Sequence, residues 1–149
     1  MWQYRRMKRF AVFLLIAVLA YGYVQDQWFS FPWSSPSAAD NSVLEEAFAN
    51  RQSNIQVQGE GIVTKTLKDD LEGSRHQRFL LKLSSGQTVL ISHNIDLAPR
   101  IESLATGDSV QFFGEYEWNS KGGVVHWTHH DPGGRHVAGW IKHRGKTYQ

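Results

Sequence analysis

The fold is constrained most strongly by a two-residue period of apolar side chains that begins at Ile55. Ile55, Val57 and Val63 alternate with mainly polar residues, and Gly59 and Gly61 fall on the same face. Such alternation indicates a β-strand with one buried face, and glycines within it permit the strong bend that a small barrel requires. We therefore expect a long, bent first strand.

Four further strands and one short helix are predicted to follow. The predicted strands are residues 76–83, 87–93, 109–118 and 124–130. Between the third and fourth strands, residues 96–104 carry apolar side chains at near-helical spacing, with Pro99 tolerated in a first helical turn. This order of elements is typical of a mainly β, five-stranded Greek-key barrel of the OB-fold type.

The residues before the barrel predict an export segment and a linker. Basic residues at positions 5, 6, 8 and 9 precede an uncharged, largely apolar stretch from 10 to 24. That layout is typical of a secretory signal peptide, or of a short membrane-anchor helix. The predicted division is residues 1–24 as signal or anchor, 25–41 as linker and 42–149 as the OB-like domain, with a helix at 42–51, the barrel at 55–130 and a C-terminal extension at 131–149.

Either alternative for the export segment places the domain in the periplasm. Cleavage would release it as a soluble protein, and retention would leave it anchored in the inner membrane. Within the domain, Ser42 and Glu45 match a capping box at the start of the predicted helix. In the extension, Val137, Trp140, Ile141 and Tyr148 are apolar enough to dock on the barrel.

The excess of basic charge belongs largely to the N-terminal segment. Four of the sixteen Lys and Arg residues, and one of the fourteen Asp and Glu residues, precede residue 40. The rest of the chain carries twelve basic and thirteen acidic residues and is close to neutral. Proteins that bind nucleic acid through phosphates usually have a basic surface, so charge favours a peptide, a glycan or a protein as the ligand over nucleic acid.

Four of the seven histidines lie within residues 124–136. If Val125 and Trp127 point inward along a strand, His126 and His130 share the outer face. They would then lie about 13 Å apart and could not hold one ion unaided. The chain has no cysteine, so a divalent metal would need His, Asp, Glu or backbone ligands. The candidate metal ligands are His129, His130, Asp131 and His136, joined by His93 or His76 from neighbouring strands.

The leading functional hypothesis is a non-catalytic binding module, because OB-folds bind ligands across their second and third strands. The candidate ligand-binding residues are His76, Arg78, His93, Asn94, Glu115, Trp118, His126, Trp127 and Thr128. An alternative is a metal-dependent hydrolase, such as a phosphodiesterase, that uses the histidine cluster. Acidic residues Asp69, Asp70 and Glu72, with Arg78 and Arg100, resemble the chemistry of staphylococcal-nuclease-type enzymes. A third hypothesis is a pH-responsive structural partner.

Four strings of the sequence resemble the signature of a known family. They are HQRF at 76–79, HNIDLAPR at 93–100, GEYEWN at 114–119 and HWTHHDP at 126–132. Over about residues 55 to 149 the chain resembles the bacterial domain-of-unknown-function family 3465. The resemblance implies a small bacterial protein with an N-terminal export segment. It implies no activity and gives no role to any histidine.

Overall fold

The computed structural model describes residues 40–149. One helix precedes seven strands: α1 (Ser42–Ala49), β1 (Ile55–Thr66), β2 (His76–Lys82), β3 (Thr88–Asn94), β4 (Ser109–Glu117), β5 (Val124–His126), β6 (Trp140–His143) and β7 (Lys146–Tyr148). Within these residues no helix combines the length and apolar character needed to cross a membrane. The predicted export segment and nearly all of the predicted linker lie outside the described residues.

The first five strands form a closed barrel. Antiparallel pairing joins β1 to β2, β2 to β3 and β4 to β5, while β3 and β5 run parallel. Pairing of β1 with β4, from Ile55↔Tyr116 to Ile62↔Ser109, closes the ring. The prediction of a mainly β fold built on a five-stranded barrel is therefore confirmed.

The opposite edge of β4 is shared by two strands. Glu115, Tyr116 and Glu117 pair with β5, whereas Val110 to Phe113 pair with β6. β6 in turn pairs with β7 as a hairpin. The predicted C-terminal extension is thus an integral part of the sheet, in which Ile141 and Tyr148 are buried. Val137, expected to dock, is 58% exposed.

The core lies inside the barrel and follows the predicted alternation. Val57, Val63, Phe79, Leu81, Val89, Ile91, Val110, Phe112, Tyr116 and Val125 are all buried. Gly59 is needed on the inner face of β1 because a side chain there would collide with the ring of Phe112 and the amide of Asn41. α1 adds Leu44 and Ala47 to the same core.

The predicted capping box at Ser42 is wrong. Asn41 is the N-cap of α1, and its side chain makes no capping hydrogen bond. Instead the Asn41 amide donates to the carbonyl oxygen of Glu60 and accepts from the backbone N–H of Glu60. The Ser42 N–H donates to Asp40. The start of the helix is therefore fixed to β1 rather than capped by its own first turn.

The predicted helix at 96–104 is also wrong, since this segment consists of turns. In this segment only the N–H of Ala98 donates a helix-type hydrogen bond, to the carbonyl oxygen of Asn94 four residues earlier. The buried side chain of Gln77 accepts from the N–H of Ile101 and donates to the carbonyl oxygen of the same residue. Pro99 supplies no N–H at all. The N–H and the carbonyl oxygen of Ile101 are therefore bonded to β2 and do not pair within a helix.

The fifth strand ends four residues earlier than predicted. β5 stops at His126 because Trp127 has a positive φ of 53°, a left-handed conformation that no strand accommodates. Beyond it, Gly139 donates its N–H to the carbonyl oxygen of His129 and so brings the chain back towards β6. The residues after His126 therefore form an irregular loop over the barrel end instead of a strand.

Candidate functional site

A row of polar side chains crosses the outer surface of the barrel. Arg78 on β2 pairs with Ser92 on β3, and Glu115 on β4 pairs with both His126 on β5 and Gln56 on β1. The parallel register of β3 and β5 places Ser92 next to His126. All five are partly exposed, and the residues that flank them along each strand are mostly buried. We call Gln56, Arg78, Ser92, Glu115 and His126 the outer row.

At one end of the outer row, Glu115 lies between two imidazoles. Its Oε1 atom is 3.8 Å from Nε2 of His126, and its Oε2 atom is 3.8 Å from Nδ1 of His136. Glu117, two residues along β4, brings a second carboxylate to the same place: ligand atoms of Glu115, Glu117 and His126 all lie within 4.8 Å of one another. We call these three residues and His136 the Glu115 cluster.

One ring nitrogen of His126 is buried. The Nε2 atom is buried and has no hydrogen-bond partner. Burial lowers the pKa of His126, against the opposing effect of the negative charges on Glu115 and Glu117. Burial therefore favours the neutral imidazole, which has a lone pair on one ring nitrogen.

Trp127 lies in the middle of the histidine-rich stretch. Its ring stacks on that of His136, with centroids 3.6 Å apart and an angle of 15° between the planes. His126 and His129 approach the same indole at 6.2 and 5.5 Å. Because the backbone of Trp127 is left-handed, its indole points towards these three histidines. The stacking holds the ring of His136 beside Glu115.

His93 and Thr128 lie in the barrel interior and are both 0% exposed. Nδ1 of His93 is 2.9 Å from Oγ1 of Thr128, and Nε2 is 3.3 Å from the carbonyl oxygen of Pro99. Burial is the main cause that lowers the pKa of His93 to about 4. His93 therefore contacts the histidine-rich stretch through Thr128. Both side chains are buried, however, and offer no surface to a ligand.

The four predicted metal ligands do not converge. In residues 40–149, the structure assembles no group of three His, Asp or Glu ligand atoms from them. Nδ1 of His129 is bonded to the carbonyl oxygen of His130, and His130 is exposed. The Asp131 carboxylate accepts from the backbone N–H groups of Gly133, Arg135 and His136, which lower its pKa to about 2. Only His136 belongs to the Glu115 cluster.

The remaining candidates are distributed along the barrel. His76 and Asn94 pair across β2 and β3, one step beyond Arg78, and Asn94 accepts from the N–H of Asp96. Trp118 lies apart from the outer row: Ser53 accepts its backbone N–H, and the guanidinium of Arg51 lies 5.6 Å from the centre of its ring. His76 and Asn94 therefore extend the polar surface, whereas Trp118 does not.

Two residues of the acidic loop, Asp69 and Asp70, are paired with arginines from elsewhere in the domain. Arg100 donates to Asp69 at 3.0 Å and contacts Glu102, and these acidic partners raise its pKa. Arg78 donates to the carbonyl oxygen of Lys68 and lies 3.6 Å from Asp70. Neither arginine is left without an internal partner, which weighs against the nuclease-like arrangement.

The comparisons with known proteins give one match. The family model described as a protein of unknown function (DUF3465) covers residues 28–149. The chain belongs to this family. No curated protein and no solved structure matches it. The resemblance seen in the sequence is thus confirmed at the level of the family.

Two features of this DUF3465 chain were not predicted from its sequence. Glu117 joins the Glu115 cluster, and the spacing of two residues on a strand is the signal that could have indicated it. Asp108 binds the C-terminal hairpin by accepting from Nε2 of His143 and from Arg144, each at 2.9 Å. The N–H of Ala105 is the main cause that lowers the pKa of Asp108 to about 2, and both hairpin partners act in the same direction. No sequence motif connects residues so far apart.

Proposed function

We propose that this protein is an exported bacterial envelope protein whose barrel is an OB-like ligand-binding module. The strand order β1-β2-β3-β5-β4, with β1 returning to β4 and β3 parallel to β5, supports the OB-like assignment. The basic and apolar N-terminal sequence supports export to the periplasm, either as a soluble protein or anchored in the inner membrane.

The observation that carries the binding proposal is the outer row. Ligands of OB-folds lie across the second and third strands and the adjoining surface, where polar groups provide hydrogen bonds and aromatic rings provide stacking. Here Arg78 and Ser92 lie on those two strands, and the stacked rings of Trp127 and His136 flank the other end of the row. The surface therefore offers donors, acceptors and a π-face in one continuous strip.

The charges along this strip favour a polar ligand of low net charge. Arg78 lies towards one end, and the carboxylates of Glu115 and Glu117 lie towards the other. A polyanion such as nucleic acid would be attracted at one end and repelled at the other. A glycan or a peptide, which carries both donors and acceptors, fits this pattern better, and we propose one of these two as the ligand.

Ligand titrations followed by amide NMR would test this proposal. Cell-wall oligosaccharides, short peptides and a single-stranded oligonucleotide would each be added to the full chain. We expect a glycan or a peptide to shift the signals of Arg78, Ser92 and His126, and Arg78→Ala to weaken binding at least roughly tenfold. Lys82→Ala is the matched control, because Lys82 is an exposed basic residue further along the same strand.

Two results would contradict the binding proposal. In the first, no ligand of any class perturbs the outer row. In the second, the shifts map to α1 and leave the outer row unchanged, and Arg78→Ala binds as the wild type does.

The alternative of a metal-dependent phosphodiesterase is less well supported. Its predicted ligands His129, His130 and Asp131 are separated or bonded to backbone groups, and Arg100 is paired with Asp69. The Glu115 cluster could hold an ion, but the two arginines that this hypothesis assigned to a phosphate, Arg78 and Arg100, have partners in the acidic loop. We therefore keep binding as the proposed function.

A further inference from the structure

We propose that the chain binds a divalent transition-metal ion of the Zn²⁺ type through Glu115, Glu117 and His126. His136 is the candidate for a fourth ligand, because its Nδ1 atom lies 3.8 Å from Oε2 of Glu115. This set differs from the histidine-rich group that the sequence indicated, and it shares only His136 with that group.

The first support is the spacing of the ligand atoms. Nε2 of His126 and Oε1 of Glu115 are 3.8 Å apart, and so are Nδ1 of His136 and Oε2 of the same carboxylate. Ligands of a tetrahedral Zn²⁺ ion, at bonds of 2.0–2.2 Å, lie about 3.3–3.6 Å from one another. These two separations would need to contract by a few tenths of an ångström. Every separation among the ligand atoms of Glu115, Glu117 and His126 is within 4.8 Å, so side-chain adjustments of no more than about 1.5 Å would complete the site.

The second support is the unpartnered nitrogen of His126. Its Nε2 atom is shielded from solvent and forms no hydrogen bond, and 3.8 Å to Glu115 is too long for one. A buried polar atom without a partner is costly, and a bound ion is one of the explanations for such an atom. Among the buried atoms of this kind in residues 40–149, Nε2 of His126 is the one that lies beside two carboxylates. A metal ion between His126 and the two carboxylates would remove this cost.

The donor types indicate which ion the cluster would take. Two imidazole nitrogens with two carboxylates suit Zn²⁺ and its first-row neighbours, whereas Ca²⁺ and Mg²⁺ prefer sites made entirely of oxygen. The two negative charges of Glu115 and Glu117 would balance the charge of a divalent ion. We therefore expect Zn²⁺ to bind and Mg²⁺ to have no measurable effect.

The scaffold holds the ligands in place before an ion arrives. Glu115 and His126 are register partners on adjacent strands, and Glu117 follows on the same face of β4. The ring of His136 is held against Trp127, and the backbone N–H of His136 donates to the Asp131 carboxylate. Three ligands therefore come from paired strands, and the fourth comes from a loop fixed by stacking.

The metal site does not depend on the proposed ligand-binding function. An ion at the Glu115 cluster would occupy one end of the outer row and leave Arg78 and Ser92 accessible.

Isothermal titration of the full, untagged chain with ZnCl₂ would test the metal site. We expect one ion per chain. Glu115→Gln and His126→Gln should each weaken binding at least roughly tenfold, and the double variant should abolish it. His130→Gln is the matched control, since His130 is an exposed histidine of the same stretch that lies outside the cluster. Near-ultraviolet circular dichroism would show that each variant is folded.

A second measurement locates the ion without any substitution. Paramagnetic Co²⁺ in place of Zn²⁺ should broaden or shift the ring resonances of His126 and His136 before those of His76 and His130. Absence of Zn²⁺ binding would overturn the proposal. So would equal affinity in wild type and the double variant, a loss caused by His130→Gln, or Co²⁺ effects centred on His76 or His130.

Discussion

His93 and Thr128 are joined inside the barrel by a hydrogen bond of 2.9 Å between Nδ1 and Oγ1. The other ring nitrogen, Nε2, faces the carbonyl oxygen of Pro99, which can only accept. Nε2 therefore carries the proton, and the Thr128 hydroxyl donates to Nδ1. A neutral imidazole thus links β3 to the loop before β4 and to the chain that leaves β5.

This link predicts that the domain loses stability as the pH falls from 6.5 to 4. The pKa of His93 is about 4 in the folded chain, against an ordinary value of 6.5. Since the unfolded form takes up the proton first, the stability is fully present above pH 6.5 and declines down to pH 4. The loss is on the order of 3 kcal/mol. Urea unfolding at pH 7, 5 and 4 would measure it.

His93→Gln should remove much of this decline, because glutamine can donate and accept in the same place but cannot become charged. His130→Gln, at an exposed position, should leave the pH dependence of unfolding as it is in the wild type. A His93→Gln variant with the full wild-type dependence would show that another group is responsible.

Asp131→Ala should loosen the loop that holds His136. The carboxylate accepts three backbone N–H groups, and none would keep this partner in the variant. We expect the melting temperature to fall by roughly 5 °C and the ring-current shift of His136 against Trp127 to shrink. Asp131→Asn, which retains one acceptor oxygen, should have an intermediate effect. Unchanged His136 signals in Asp131→Ala would contradict the supporting role of this carboxylate.

Gly139→Ala should destabilise the domain strongly. A side chain at Gly139 would overlap with the carbonyl oxygens of Trp127 and Phe113, which are backbone atoms on either side of it. Separating these segments should cost about 3 kcal/mol in the free energy of unfolding. Gly133→Ala is a suitable control, because its nearest neighbour is the flexible side chain of Arg135 at 3.1 Å. Denaturant unfolding of the two variants would give the comparison.

Ile141→Ala tests whether the C-terminal hairpin is part of the core. Ile141 is 0% exposed and pairs with Phe112. Loss of its side chain should cost about 2–5 kcal/mol, as for a core position. Val137→Ala should change stability by no more than about 0.5 kcal/mol, since Val137 is largely exposed. Similar small losses in both variants would mean that the hairpin can leave the barrel without unfolding it.

The barrel could be predicted from the sequence because its first four strands bury every second side chain. Phe79 and Leu81, for example, alternate with exposed residues and lie in the core as expected. The positive φ of Trp127 could not be predicted, since no residue type at that position signals a left-handed turn. The helix expected at 96–104 failed because Gln77, on a different strand, bonds to the backbone of Ile101.

The same limits apply to the candidate site. The strand pattern allowed Glu115 and His126 to be proposed as ligand-binding residues. That they pair with each other depends on the register of β4 and β5. The participation of His136 depends on its stacking with Trp127 in an irregular loop. Local sequence patterns contain neither register nor loop path, so the Glu115 cluster became visible only in three dimensions.

The divided edge of β4 has a consequence for how the barrel folds. Half of that edge is completed by β5 and half by β6, so two separate stretches of chain must reach β4 before its backbone groups are paired. β5 follows β4 after a short turn, whereas β6 follows only after the loop at residues 127–139. Closing a longer loop costs more chain entropy, so β6 is expected to pair with β4 after β5 does. An intermediate with only β5 in place would leave the other half of this edge open.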